Sequence, residues 1–182
     1  MKELLRTKKL LDEFGSAVVK NAQQQLGTRR IGKNGSYGRA SGKLKKGLFH
    51  RVSSDGKRVT FGSKETYGVY IHSGVSGTEV KRNTPFSYKD KMPPRAAILQ
   101  WMKVKPVALR SADGRFKKKT KSAMNSAAFL IARSIQKKGI VGLKYYDEGV
   151  ANVYPKFASR LAEALGNDIG ELIVMDWNKN MK

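Results

Sequence analysis

The chain has no cysteine, two histidines, and only 14 acidic residues against 37 lysines and arginines in 182 residues. Without cysteine there is no disulfide framework, no thiolate metal site and no cysteine nucleophile. Few carboxylates leave little material for metal-assisted hydrolysis, which needs several of them converging. The pairs Asp12-Glu13 and Asp147-Glu148 do not supply that convergence, because adjacent residues point apart on a helix or strand. His50 and His72 stand in no HExxH or comparable ligand spacing. His72 reads as a polar residue on the outer face of a strand rather than as a general base. The stretch GKNGSYGRASGK ends in Gly-Lys, but Lys43 is followed by Leu44 where a phosphate loop needs Ser or Thr. These absences lead to the expectation of no enzymatic activity, no metal and no cofactor.

Long apolar runs are missing too. None approaches the roughly 20 residues that cross a bilayer, so no membrane partner is expected. The opening MKELLRTKKLLDEFG scatters charges where a secretory signal would be continuously apolar. The chain is expected to be made and to assemble in a cytoplasm.

What is present is charge of one sign. The formal net charge is +23, and its self-repulsion calls for a polyanion or an acidic partner surface. Nucleic acid is the first candidate, as for ribosomal or nucleoid proteins and for parts of DNA-filled assemblies. The cations concentrate in two arms, 27–42 and 103–121, within what reads as a single domain, 1–182. Arg29, Arg30, Lys33 and Arg39 lie in the first arm, with Lys43, Lys45 and Lys46 just beyond it. Arg110, Arg115, Lys117, Lys118, Lys119 and Lys121 lie in the second, around an Ala-Asp-Gly turn signal. No RNA-binding aromatic strand, zinc finger or KH-type loop occurs. The basic segments hold few aromatics, so base stacking is not suggested. Contacts would go to phosphates, independent of sequence and sensitive to salt.

Hydrophobic periodicity outlines an α+β fold: a small antiparallel sheet packed with an N-terminal helix and C-terminal helices, and extended basic loops. Leu4, Leu11, Phe14, Val18, Ala22 and Leu26 give residues 1–26 a helical stripe, stopped at Gly27. Leu44–Val52 and Arg58–Gly62 read as strands joined through Asp55-Gly56. YGVYIHSG reads as a third strand, with Tyr67, Val69 and Ile71 on one face and Tyr70 and His72 on the other. A helix starts at Met92-Pro93-Pro94-Arg95, where proline suits the first turn. Ala97, Ile98, Trp101 and Met102 give it an apolar side, and it ends before Pro106. Residues 123–138 form the next helix, lined by Met124, Ala128, Ile131 and Ile135 and capped at Gly139. The last helix is expected over 155–177, opened by Pro155, with Phe157, Leu161, Leu165, Ile169, Leu172 and Ile173 facing the core.

Three elements in order carry a resemblance: Ser41-Gly42-Lys43-Leu44-Lys45-Lys46-Gly47, then Tyr67-Gly68-Val69-Tyr70-Ile71-His72-Ser73-Gly74, then Met92-Pro93-Pro94-Arg95. Together with AMNSAAFLIARSIQKKGI they resemble the tail-component or tail-completion family of tailed bacteriophages, which includes minor tail proteins of lambda-like phages and virion-morphogenesis proteins of Mu-like phages. Gly47 stands where that family usually has serine, and its Pro-Phe-Leu is missing after Pro94-Arg95. The resemblance implies a structural virion protein: a ring-forming neck or connector subunit at the head–tail junction. A six- or twelve-fold homo-oligomeric ring would meet portal, connector and tail-tube proteins, with packaged DNA in the channel. It would form in the host cytoplasm and remain in the virion. On this reading the sheet carrying Tyr67, Tyr70 and His72 pairs with a neighbour in the ring. The basic arms then contact DNA or acidic protein. The alternative is a stand-alone, sequence-independent nucleic-acid-binding protein of ribosomal or nucleoid type.

Overall fold

The computed structural model describes residues 4–28, 30, 31, 36, 37, 42–104, 107–111, 113–116 and 118–180; the side chains of 28, 30, 31, 36, 37 and 174–180 are outside the description. Along the chain run α1 (Leu5–Thr28), β1 (Arg30–Ile31), β2 (Ser36–Tyr37), α2 (Lys43–Gly47), β3 (Leu48–Val52), β4 (Val59–Ser63), α3 (Gly68–Ser73), α4 (Arg95–Val104), α5 (Lys121–Lys138) and α6 (Tyr145–Asn180). The fold is α+β. Its strands form two separate antiparallel pairs, β1 with β2 and β3 with β4.

The central layer is α1 laid between the β3–β4 hairpin and α6. Leu10, Phe14, Val18, Ala22 and Leu26 are buried at steps of four along α1, so one inclined stripe faces the core. Leu10 takes the buried place expected for Leu11, which is half-buried. Gly15 lets the hairpin approach: a Cβ there would lie 2.3 Å from the His50 ring. His50 Nε2 in turn sits 2.9 Å from the Asp12 carboxylate, one turn earlier on α1. The strands pair from Leu48 with Ser63 to Val52 with Val59. Their connection turns at Gly56, with φ of 69°, and Arg58 N–H donates to the Ser53 hydroxyl.

Two strand expectations are corrected. Residues 44–47 are helical, starting from Gly42 at φ 73°, which fits the strong helix preference of Lys-Leu-Lys-Lys. The run YGVYIHSG is α3, not a third strand. Ile71 N–H bonds to the Tyr67 carbonyl and Gly74 N–H to that of Tyr70. Six residues are too few to separate a two-residue from a 3.6-residue period, and local hydrogen bonds decide the outcome. The last carbonyls of α3 then accept from Leu143 and Lys144 N–H groups, each at 2.9 Å.

Between α3 and α6 the chain makes a long excursion that closes on itself. Val75 and Ile140 exchange both backbone hydrogen bonds, at 2.9 and 2.8 Å. α4 and α5 pack together within the excursion, around Met102, Ala128 and Ala132. Thr120 caps α5 by accepting from Ala123 N–H. At the other end, the N–H groups of Thr78, Glu79 and Val80 donate to the Gln136 and Lys137 carbonyls, satisfying acceptors that a helix terminus leaves open. Gly139 closes the helix at φ 70°.

The last helix departs most from expectation. α6 has 36 residues and contains Pro155 in its interior, so it begins ten residues before the proline expected to open it. It is about 54 Å long at 1.5 Å per residue. Proline inside a helix costs about 3 kcal/mol, and the burial of Tyr145 and Val153 on the proline's N-terminal side opposes that cost. Beyond Pro155 the expected core stripe runs out. Phe157 and Leu161 are half-buried, whereas Leu165, Ile169 and Ile173 are 39%, 44% and 65% exposed. Among the described side chains of that segment the buried one is Asp168.

Asp168 is a carboxylate cap supplied to α1 by another helix. It accepts from Thr7 N–H at 2.8 Å, from the Thr7 hydroxyl at 2.8 Å and from Arg6 N–H at 3.3 Å. These are N–H groups of the first turn, which have no partner within the helix. Arg6 also pairs with Glu171 at 2.5 Å. Burial pushes the Asp168 carboxyl up, but the Thr7 and Arg6 hydrogen bonds and the Arg6 charge outweigh it and hold the group below its ordinary value. The stabilisation is therefore present above the ordinary carboxylate range and is lost as pH falls through the lowered native value.

Asp168→Ala should cost about 1–3 kcal/mol in chemical denaturation, because it strands the buried Thr7 N–H and hydroxyl. Asp168→Asn should lose less at neutral pH and should flatten the acid limb of the stability profile. Gly139→Ala should cost about 1–3 kcal/mol for its positive φ alone. It should cost more once the new Cβ, placed 2.1 Å from the Val75 carbonyl oxygen, forces the Val75–Ile140 closure apart.

Candidate interaction surface

The residues singled out in the sequence separate into an internal clamp and an exposed surface. The clamp centres on His72. As the penultimate residue of α3, its Nε2 lies 3.4 Å from Asp147 of α6, and its ring meets Tyr145 edge-on at 4.9 Å. Its Nδ1 is buried with no hydrogen-bond partner. Tyr145, 2% exposed, donates its hydroxyl to the Gly68 carbonyl at 3.1 Å. Tyr146 places its hydroxyl 2.7 Å from the Gly62 carbonyl and 3.2 Å from that of Phe49. Its single proton serves two carbonyls on facing strands of the hairpin. Burial, and for Tyr145 the neighbouring Tyr146, drives the Tyr145 phenol far upward. Burial pushes Tyr146 up to about 12, against the downward effect of its two carbonyl contacts. His72 thus ties α3 to α6 and does not lie on a strand's outer face. Among the described residues no group of three or more His, Asp or Glu side chains converges as a metal site would require.

Tyr67 and Tyr70 do not form a sheet edge. They lie at and in α3, 42% and 44% exposed, with Val69 between them at 46%. Tyr70 packs edge-on against Phe86 at 4.7 Å. Burial raises the Tyr67 phenol, with Glu65 adding to the effect and a Leu44 backbone contact opposing it. The segment expected to pair as a strand is therefore a helix that carries an exposed apolar patch.

The basic candidates fall in two places. Lys43 and Lys46 are exposed and Lys45 is half-buried on α2, beside the β4–α3 connection against which Gly47 packs. Arg115, Lys118, Lys119 and Lys121 are all exposed on the approach to α5. Arg30 is in β1, with its side chain outside the description, and Arg29, Lys33, Arg39 and Lys117 lie outside the described residues. Lys121 stands in the first turn of α5, which holds no acidic residue. A cation is unfavourable at that end of a helix, and an anion arriving there would relieve both.

The basic loop also places an aromatic that residue type alone did not single out as a contact. Arg110 and Phe116 face each other across a short antiparallel bridge. The turn between them is built from Ser111 N–H to the Arg115 carbonyl and Gly114 N–H to the Ser111 carbonyl, at 2.9 and 3.0 Å. Gly114 takes φ of 81°, and the Ser111 hydroxyl bonds to Asp113. The Arg110 guanidinium lies 4.3 Å above the Phe116 ring and donates to the Gly114 carbonyl. Phe116 remains 71% exposed. An aromatic therefore stands in the middle of a loop whose composition suggested phosphate contacts alone. The signal available was the single Phe three residues beyond Asp113.

A shallow groove of about 370 Å³ runs along α5, lined by Arg95, Asn125, Ser126, Phe129 and Leu130. Among the described residues no helix is long and apolar enough to cross a membrane. No family model, curated protein or solved structure matches the chain.

The clamp has a pH signature. Phenols whose native value is raised above 10.0 stabilise the fold fully below that value and lose the contribution as pH climbs through the native one. Stability should decline from about pH 10 upward, together with the appearance of phenolate absorbance. Tyr145→Phe and Tyr146→Phe should each cost about 0.5–1.5 kcal/mol at neutral pH by removing these hydroxyl hydrogen bonds. Combined, they should flatten the alkaline decline.

Proposed function

We propose that this chain is a structural subunit of a tailed-phage virion, acting at the head–tail junction to complete the tail and join it to the portal and connector. The observation that carries the reading is the placement of the resemblance motifs. The SGKLKKG stretch leads into α2, the YGVYIHSG stretch is α3, and Pro93-Pro94-Arg95 starts α4. They follow an N-terminal helix and precede a closing one, in the order the family implies, with a helix at YGVYIHSG where the family implies a strand.

The surface supports an assembling subunit. Leu165, Ile169 and Ile173 leave the far half of α6 apolar and uncovered among the described residues, and Val104, Phe129 and Leu130 do the same on the α4–α5 pair. Subunits in a closed ring bury one such face against a different face of the next copy. Contact through helices replaces the sheet pairing expected from the sequence. The charge of +23 then meets either the DNA in the channel or acidic surfaces of neighbouring rings. The alternative, a stand-alone nucleic-acid-binding protein, draws on the same charge and predicts that the monomer is the active form.

Deleting the gene from the phage that encodes it should leave DNA-filled heads and detached tails in electron micrographs. Supplying the wild-type chain should restore joined particles. Supplying Ile169→Glu, with its helical circular dichroism intact, should not. Joined, infectious virions from the deletion phage would overturn the reading.

A further inference from the structure

The Arg110–Phe116 tip has features that neither assembly nor general charge attraction requires. Its described turn residues are joined by Ser111 N–H to the Arg115 carbonyl, Gly114 N–H to the Ser111 carbonyl, and the Ser111 hydroxyl to Asp113. The tip presents two flat groups together, a guanidinium lying 4.3 Å over the centre of a phenyl ring. Arg110 covers one face of the ring. At 71% exposure the opposite face is open to solvent. The acidic charge nearby is Asp113, and it is engaged by Ser111 and by Arg115 at 3.5 Å. Arg110 itself is an exposed cation, and so are Lys118, Lys119 and Lys121, which follow the ring in the chain.

We propose that this tip binds single-stranded nucleic acid, with one base stacked on the open face of Phe116 and flanking phosphates held by Lys118, Lys119 and Lys121. Charge complementarity selects a polyanion, and the free aromatic face selects one whose bases are unstacked. Base–aromatic stacking tolerates any base, because every base has a flat face. Arg110 would extend the stack from below, adding its cationic plane to the far side of the ring. A duplex keeps its bases stacked and would offer the same cations only its phosphates. Binding of this kind is a property of the purified chain and needs no ring, so it is independent of a place in the neck.

The test is fluorescence anisotropy with three labelled probes of equal length: oligothymidylate, the same strand made abasic, and a duplex. Phe116→Ala should weaken oligothymidylate binding roughly five- to hundredfold, with an unchanged melting temperature, because the ring is exposed. Phe116→Trp should restore the affinity. The slope of log affinity against log salt should stay the same in Phe116→Ala. It should fall in the Lys118→Gln, Lys119→Gln double variant, by about 0.7 for each phosphate no longer neutralised. On the abasic strand and on the duplex, Phe116→Ala should bind as the wild type does. Equal binding of oligothymidylate by wild type and Phe116→Ala would overturn the proposal. So would an equal weakening on the abasic or duplex probe, or a wild-type chain that does not bind the strand.

Discussion

Two consecutive phenols hold this structure together. Tyr145 reaches the Gly68 carbonyl at the start of α3, and Tyr146 reaches the Gly62 and Phe49 carbonyls of the hairpin. Their rings, 5.0 Å apart, join the two parts of the core: Tyr145 packs with Ala22, Leu26, Leu48 and Leu143, and Tyr146 bridges to Phe61 and the cluster around Phe14, Val18 and Val153. A buried phenol is tolerated only with its hydroxyl paired, so these rings dictate where three backbone segments sit. α1 then rests on a platform already made. Its N-terminal end is held by Asp168 of α6, and apolar side chains fill the α1–α6 contact beyond it.

The excursion from Val75 to Ile140 depends on the same frame but is closed independently. Its ends are joined by a reciprocal pair of backbone hydrogen bonds, at a point where Gly74 and Gly142 allow two chain segments to touch. What lies outside that closure, α4, the basic loop and α5, packs chiefly against itself. Such an arrangement lets the projecting part present cations and apolar side chains without disturbing the core. The self-repulsion of a +23 chain is reduced when its cations lie far apart on projections. The surface most costly in isolation is thereby the surface most available to a partner.

Much of the fold was legible in the residue pattern. α1, the hairpin, α4 and α5 each extend over enough residues for their period to be distinct, and their ends carry glycine, proline or threonine with local reasons to stop. α3 was not legible, because over six residues Tyr67, Val69, Tyr70 and Ile71 satisfy either period. The start of α6 was hidden for a different reason. Pro155 is a strong local signal for a helix start, and tertiary burial of Tyr145 and Val153 overrode it. Among the candidate contacts, the cations of the second arm were legible from composition. The exposed Phe116 was not, because exposure depends on where the turn points the ring.

The sequence by itself determined the charge, the lack of cysteine, the α+β class and the order of motifs, since these follow from residue identity and short-range period. Only the tertiary structure decided that His72 belongs to a clamp, that Asp168 caps a helix more than 160 positions away, and that half of the apolar stripe of α6 is left uncovered. Each of these rests on which segments meet in space, and hydrogen-bond pairing and burial between distant segments leave no mark in local periodicity.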